Sequence, residues 1–298
     1  MIRSLAFEKI TVDHLPAIHD LRIDVLRLDR IHSLVSGNKW FKLKYYLQQA
    51  MAEKKKGIIS FGGAWSNHIL SVAAVCKELG LSSIGIIRGE QPAKPSSTLI
   101  QARELGMQLM FSNRTDYQKK IIAPFEGSEN YYVIPEGGCG PSGVQGASTL
   151  LDHCHRQYTH YCCAVGTGTM MAGIISRANP QSQVIGISVL KNHFENENLI
   201  RTLIKQVAAE TAELPSWRLI HDYHFGGYAR HSPALIRFMN EFFRQTGIPT
   251  DFVYTGKLLF AVNDLVQQNF FPPHSELLII HSGGLQGNDS LDRGTLMF

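Results

Sequence analysis

Residues 57–80, GIISFGGAWSNHILSVAAVCKELG, change character twice within one short stretch. Gly57 to Phe61 are apolar at almost consecutive positions, as a short strand covered on both faces requires. From Ser66 to Leu79 the apolar residues recur at helical spacing, and Gly80 provides the stop. Between them lie paired glycines. Strand, glycine loop and helix in this order form one half of a βαβ unit, and a parallel sheet follows if the pattern repeats.

It does repeat. Ser82 to Ile87 reads as a second strand and Ser97 to Leu105 as a second helix, ending at Gly106. Met107 to Phe111 and Tyr131 to Ile134 continue the series, followed by Tyr161 to Val165, Val184 to Val189 and Glu276 to Ile280. Helices between such strands make right-handed crossovers, so the expected class is α/β with parallel or mostly parallel sheets flanked by helices. No internal repeat or low-complexity segment interrupts the pattern.

The composition permits this fold and excludes several others. The chain has 298 residues, 44% hydrophobic and 18% charged, enough for one large domain or two lobes with real cores. The net charge of +4 is spread along the chain, and Lys54-Lys55-Lys56 reads as a solvated helix end, so no clustered footprint for nucleic acid exists. No apolar run reaches the length of a membrane span. The segment from Met1 to Lys9 carries an acid and lacks an apolar core, which predicts no signal peptide. Five cysteines without a CxxC pair fit reduced thiols in a cytoplasmic protein.

In open parallel sheets ligands bind beyond the carboxyl ends of the strands. Four loops therefore matter. The first is Ser36-Gly37-Asn38-Lys39, followed by an amphipathic stretch from Trp40 to Leu47. Lys39 falls in the first turn of that helix, where the dipole favours anions. It is either a solvent-facing lysine or one kept neutral by the positive helix end and partial burial, able to form a Schiff base with an aldehyde. Lys42 and Lys44 look like ordinary helix-surface residues.

The second loop, Ser60 to His68, places Ser66 as a helix cap or as part of a carboxylate site built from free N–H groups. His68 reads as a supporting polar group. The third, Val165-Gly166-Thr167-Gly168-Thr169, joins a strand to a helix and alternates glycine with threonine. That is a phosphate cradle, but neither a Walker A loop nor a dinucleotide fingerprint, because the lysine and the ribose-binding acid are missing. The fourth comprises Asp251-Phe-Val-Tyr254-Thr255-Gly256-Lys257 and His281-Ser282-Gly283-Gly284. Tyr254 either borders a ring or packs in the core. Thr255 either meets a ring nitrogen or caps a helix.

Other motifs fail. His153-Cys154-His155 holds metal-ligand types at adjacent positions that point apart, so no metal site is expected. Gly140-Pro-Ser142-Gly143 lacks the spacing of a nucleophile elbow.

The order of the loops resembles fold-type II pyridoxal 5′-phosphate (PLP) enzymes of the tryptophan synthase β type. More narrowly, it is similar to the family of 1-aminocyclopropane-1-carboxylate (ACC) deaminase and D-cysteine desulfhydrase. Gly37-Asn38-Lys39 with Lys42-Leu43, Ser66-Asn67, and Asp251 to Lys257 carry the likeness, which spans nearly the whole chain. It implies Lys39 as the Schiff-base lysine and Asn67 as the partner of the PLP ring hydroxyl. It implies Ser66 at the substrate carboxylate and Gly166, Thr167, Gly168 and Thr169 at the phosphate. Tyr254 matches the active-site tyrosine, Thr255 faces the ring nitrogen, and Ser282 completes the cofactor site.

Two positions favour D-cysteine desulfhydrase over ACC deaminase. ACC deaminases resemble one another in having Glu where Thr255 stands and Leu where Ser282 stands. A carboxylate at the ring nitrogen strengthens the electron sink, whereas loss of a good leaving group such as sulfide needs less. The resemblance therefore implies a lyase eliminating the β-substituent of a small amino acid to a keto acid and ammonia, with sulfide from D-cysteine. ACC deaminase and a non-catalytic PLP or amino-acid binder are the alternatives. It also implies two lobes, residues 1–44 with 158–298 around PLP and residues 45–157 as the smaller one, in a homodimer. Trp65, where the family usually has glutamine, and the stretch 224–228 depart from the pattern and reshape the substrate pocket.

Overall fold

The structure, a computed structural model, describes residues 7–298 apart from Ala17, His19 and Ser36. The reading of Ser36, and most of the reading of the N-terminal segment, thus lie outside the described residues. The chain opens with β1 (Thr11–His14) and β2 (Arg22–Arg27), an antiparallel pair, and then α1 (Asn38–Ala52). A run of alternating elements follows: β3 (Gly57–Gly62), α2 (Asn67–Leu79), β4 (Ser82–Arg88), α3 (Ser97–Glu104), β5 (Met107–Ser112), α4 (Arg114–Gln118) and β6 (Tyr131–Ile134). After α5 (Pro141–Ser148) come β7 (His160–Val165), α6 (Thr169–Ile175), β8 (Gln183–Ser188), α7 (Asn196–Lys205) and β9 (Ser216–Ile220). The last elements are α8 (Pro233–Thr246), α9 (Thr255–Gln267) and β10 (Glu276–His281).

These strands form two sheets. The larger has the order β1-β2-β10-β7-β8-β9 and is parallel except for β1, and the smaller, β5-β4-β3-β6, is wholly parallel. Both faces of each sheet are covered. In β10, Leu278 and Ile280 pack on one side while Leu277 and Ile279 pack on the other. Cys162 and Cys163 divide between the same two cores, since successive strand residues point to opposite faces. Ile58 and Ile59 do likewise in the smaller sheet. Two-sided burial explains why these strands are apolar at consecutive positions.

The opening stretch folds as its composition requires. All six residues of β3 are buried, the Ser66 hydroxyl caps α2 by accepting from the Ile69 N–H at 3.3 Å, and Gly80 ends the helix at φ 67°. All five cysteines are free thiols, three of them buried. Among the described residues no helix is long and apolar enough to cross a membrane.

Two features differ from the sequence expectation. Strands β1, β2 and β9 carry charged or polar residues that break the apolar signal, among them Asp24 and Arg27, which are buried by pairing. Lys42 is not on the surface. It is 6% exposed, packed where α1 crosses Gly138.

Candidate active site

The N-terminus of α1 is pinned to the end of β10. Gly37 adopts φ 66°, and a Cβ there would fall 1.7 Å from the Ser282 carbonyl oxygen. The Asn38 N–H donates to that same carbonyl at 3.2 Å. Only glycine meets both demands, a left-handed backbone and a contact with no room for a side chain. Lys39 follows directly. Its Nζ donates to Asn38 Oδ1 at 2.7 Å, and Asn38 Nδ2 reaches Met170 Sδ in α6 at 3.2 Å.

The amine of Lys39 is unusually easy to deprotonate. Burial, then the positive charge of Lys42, pull its pKa down to about 7, against the opposing attraction of Asp251. Lys42 itself falls to about 8, chiefly through burial. A sizeable share of Lys39 is therefore a neutral nucleophile near pH 7.

Tyr254 stands across from this amine, with Lys39 Nζ 6.0 Å from its ring centroid. Gly166 closes against the same ring, since a Cβ there would lie 3.3 Å from Cε1. Beyond Gly166, Gly168 turns at φ 74° to start α6, and the Thr167 and Thr169 hydroxyls bond each other at 2.9 Å. Among the described residues the N–H groups of Thr167, Gly168 and Thr169 have no acceptor, which leaves them free for an anion. From the smaller sheet's side, Gly137 rests on Thr167, its Cβ position 3.0 Å from Cγ2.

The loop between β3 and α2 supplies the facing wall. Asn67 opens α2, and its Oδ1 is buried without a hydrogen-bond partner. Its amide nitrogen lies against Gly284, where a Cβ would come within 2.4 Å. His68 is neutral and oriented by a short chain. Its Nε2 lies 2.8 Å from the Ser60 hydroxyl, which donates to the Ile134 carbonyl, so Nε2 carries the proton and Nδ1 is left unpartnered. Burial and the charges of Lys39 and Lys42 push its pKa down to about 3.

Asp251 organises the loop before α9. Its carboxylate accepts from the N–H groups of Val253, Tyr254 and Thr255 at 3.0, 2.8 and 2.9 Å. The Thr255 hydroxyl donates to Asp251 Oδ1 at 2.6 Å and accepts from the Asp251 N–H at 2.8 Å. Thr255 is thus wholly buried, with its one hydroxyl proton committed to Asp251. Two further groups lie in the fourth loop, where the sequence reading gives them no role. Lys257 is fully buried and donates to the carbonyls of His224 and Gly227 at 2.9 and 2.7 Å, which anchors the 224–228 stretch beside the site. His281 bridges Pro249 O and Asp29 at 2.7 and 3.2 Å, and Asp29 is paired in turn with Arg27. Their sequence signal is membership of that loop and a charged or imidazole residue beside an apolar run.

Lys39 and Gly166 thus face the Tyr254 ring, Ser282 holds the turn before Lys39, and Asn67 lies against Gly284, with Ser66 at the head of α2 and Thr255 next to Tyr254 at the start of α9. The free amides, the orphaned Asn67 oxygen and the near-neutral lysine match an anionic, hydroxyl-bearing aldehyde cofactor. Fold and site together define an enzyme of the tryptophan synthase β-like class, in which such an aldehyde serves as cofactor.

Residues 13–283 match the family described as pyridoxal-phosphate dependent enzymes, and the chain belongs to that family. Its cofactor is pyridoxal phosphate. It is similar to a Pyrococcus horikoshii protein named as a candidate 1-aminocyclopropane-1-carboxylate deaminase, with 27% identity over 93% of this chain and 89% of the relative. It is similar also to the D-cysteine desulfhydrase of Salmonella typhi, with 25% identity over 92% of this chain and 90% of that one. Among solved structures, an ACC deaminase homologue superposes with a TM-score of 0.82 at 24% identity, covering 95% of this chain and 92% of the other. A fungal L-serine ammonia-lyase from Rhizomucor miehei shares the fold at a TM-score of 0.66 and 14% identity, covering 94% of each chain.

Proposed function

We propose that this enzyme is a lyase of the D-cysteine desulfhydrase type, acting on a small amino acid. It removes the β-substituent and yields a keto acid and ammonia, with sulfide when the substrate is D-cysteine. The observation that carries this reading is the Lys39 amine, held by Asn38 with a pKa of about 7 opposite Tyr254.

In this reading Lys39 binds PLP, the Gly166–Thr169 turn takes its phosphate, and Asn67 meets its ring hydroxyl. When bound, PLP supplies an electron sink for the carbanion formed at the substrate α-carbon. Ser66 and the first N–H groups of α2 orient the substrate carboxylate. The Lys39 amine takes the α-proton, a role suited to a base with a pKa near the working pH. Tyr254 covers the reacting centre and excludes water. Thr255 stands where the resemblance puts a carboxylate in ACC deaminases, with its own hydroxyl turned into Asp251, and Ser282 is a small residue where those enzymes have leucine. Both favour elimination of a good leaving group over opening of the ACC ring.

The two-lobed division, with residues 45–157 as the smaller lobe, belongs to the same proposal, as do a homodimer and a cytoplasmic location. Closure of one lobe on the other would complete the site around the substrate.

The test is a visible absorbance band from bound PLP together with product analysis. Wild type should show the band and release sulfide and pyruvate from D-cysteine faster than 2-oxobutyrate from ACC. Lys39→Ala should lose both band and turnover. Release of 2-oxobutyrate without sulfide would assign the ACC reaction, which the likeness to ACC deaminase relatives keeps in view. Absence of any band with added PLP would end the proposal.

A further inference from the structure

Against Asn67 and Tyr254 of the site lies a hollow of about 250 Å³. Trp65, Phe252 and Leu291 supply apolar lining, Asn67 and Tyr254 line it as well, and the exposed Tyr228, His231 and Ser290 stand at its mouth. Tyr254 is the shared partition, because its ring lines this hollow and also stands 6.0 Å from Lys39 Nζ. A substrate held at Lys39 therefore has this space next to it. Tyr228 meets Tyr254 edge to face at a centroid distance of 6.1 Å, and Phe252 meets His231 the same way at 5.3 Å. The walls are thus rings braced by other rings.

Charge decides what the hollow takes. No lysine, arginine, aspartate or glutamate lines it among the described residues. Arg88, the cation at the end of β4, lies outside it beside Gly63, 3.6 Å from where a Cβ would sit there. Apart from the exposed His231 imidazole, a substrate with a distal carboxylate or ammonium would meet no ionisable partner in the hollow, and burying such a group unpaired is costly. A bare thiol would leave the space unfilled. An apolar cavity of roughly 150 Å³ accepts a benzene ring, so this volume suits an aryl or short alkyl group.

We infer that the enzyme's preferred substrates are amino acids whose β-substituent ends in an apolar or aromatic group, such as S-aryl- and S-alkyl-cysteines. The inference rests on the lyase reading above and narrows it to a substrate class. The reaction is a β-elimination followed by hydrolysis. The Cα–H bond and the Cβ–S bond break, and sulfur leaves with the electron pair and takes a proton. One water then converts the remaining three-carbon fragment to pyruvate and ammonia. The products are one thiol, one pyruvate and one ammonia, with no oxidant or reductant needed.

Trp65 is the specificity-determining residue in this account. It projects from the loop that presents Ser66 and Asn67, and it supplies an apolar wall where a smaller polar side chain would leave the hollow wet.

The experiment uses the PLP-loaded enzyme with two probes that lack a leaving group, D-phenylalanine and D-alanine, as competitive inhibitors, assaying the L-forms in parallel. β-Chloroalanine serves as the reporter substrate. The phenyl probe should inhibit at least tenfold more tightly than alanine of the same hand. Trp65→Gln and Leu291→Asn should each cut that preference by about tenfold, and either variant alone is sufficient if the other does not fold. S-phenylcysteine should release thiophenol and pyruvate in equal amounts. Equal inhibition by phenylalanine and alanine, with reporter turnover intact, overturns the inference and leaves the lyase reading standing. Tight phenylalanine binding, read as a shift of the PLP absorbance band on titration, with no turnover of β-chloroalanine supports the pocket and sinks the lyase reading instead.

Discussion

The α-carbon of Gly37 sits so close to the Ser282 carbonyl that a methyl group on it would lie 1.7 Å from the oxygen. Residues 245 positions apart are thereby locked together one step before Lys39, and the position of the reactive amine depends on that contact.

Gly37→Ala should therefore be damaging twice over. It forces a side chain onto φ 66° and into an occupied space. Strain of this kind costs about 1–3 kcal/mol before any clash is counted. Urea denaturation should show a loss of at least that size, and surviving protein should bind PLP with a weakened visible band. A variant with wild-type stability and band would show that the contact does not hold Lys39.

Lys42 should tune Lys39. Its charge is the second cause, after burial, of the depression of Lys39 to about 7. Only the neutral amine attacks an aldehyde, so PLP uptake by cofactor-free protein should accelerate with pH and level off above about 7. Removing a neighbouring positive charge makes protonation easier, so in Lys42→Met the inflection should move to higher pH and uptake at pH 7 should slow. Stopped-flow absorbance across pH measures both. An unmoved inflection would remove Lys42 from this role.

Asp251 should matter more for architecture than its single charge implies. Deleting it leaves three backbone N–H groups and the Thr255 hydroxyl without their acceptor. Each buried unsatisfied donor costs about 1–3 kcal/mol, so Asp251→Ala should lose several kcal/mol or fail to fold. Asp251→Asn keeps one acceptor oxygen and should lose less. Chemical denaturation of the two variants side by side checks the order, which a purely electrostatic role would not produce.

His68 should dominate part of the acid limb of stability. Its folded pKa is about 3 against an ordinary 6.5. Between those values the unfolded chain binds a proton that the folded protein does not, so stability falls as the pH drops from about 6.5 towards 3. His68→Gln cannot take up that proton, and its urea midpoint should change less over the same window. Parallel slopes for the two proteins would contradict the buried, neutral assignment.

Much of the fold was legible because two-sided burial writes a simple pattern. Strands β3, β4, β7, β8 and β10 face a core on each side, so their apolar runs stand out, and glycine and serine mark the helix boundaries. Strands β1, β2 and β9 escaped because charged or polar residues interrupt them: in β2 Arg27 is buried by pairing with Asp13 and Asp29, and in β9 Ser216 and Arg218 stay exposed. Lys42 was misplaced for a related reason. Helical spacing locates a residue on a face, but here α5 and the Gly138 turn cover the face that spacing leaves to solvent.

The sequence by itself determined the parallel α/β class, the loops at the strand ends and the residue types able to hold an anionic aldehyde. These depend on local period and local turn chemistry, which a single chain displays directly. Only the tertiary structure decided that Lys39 is depressed by burial and by Lys42, that the Thr255 hydroxyl is turned into Asp251, that Lys257 anchors the 224–228 stretch, and that Trp65 walls a hollow beside the amine. Lys257 and Trp65 meet groups far along the chain, while Lys39 and Thr255 answer to near neighbours whose effect depends on burial; in each, desolvation and shape, rather than residue type, set the chemistry.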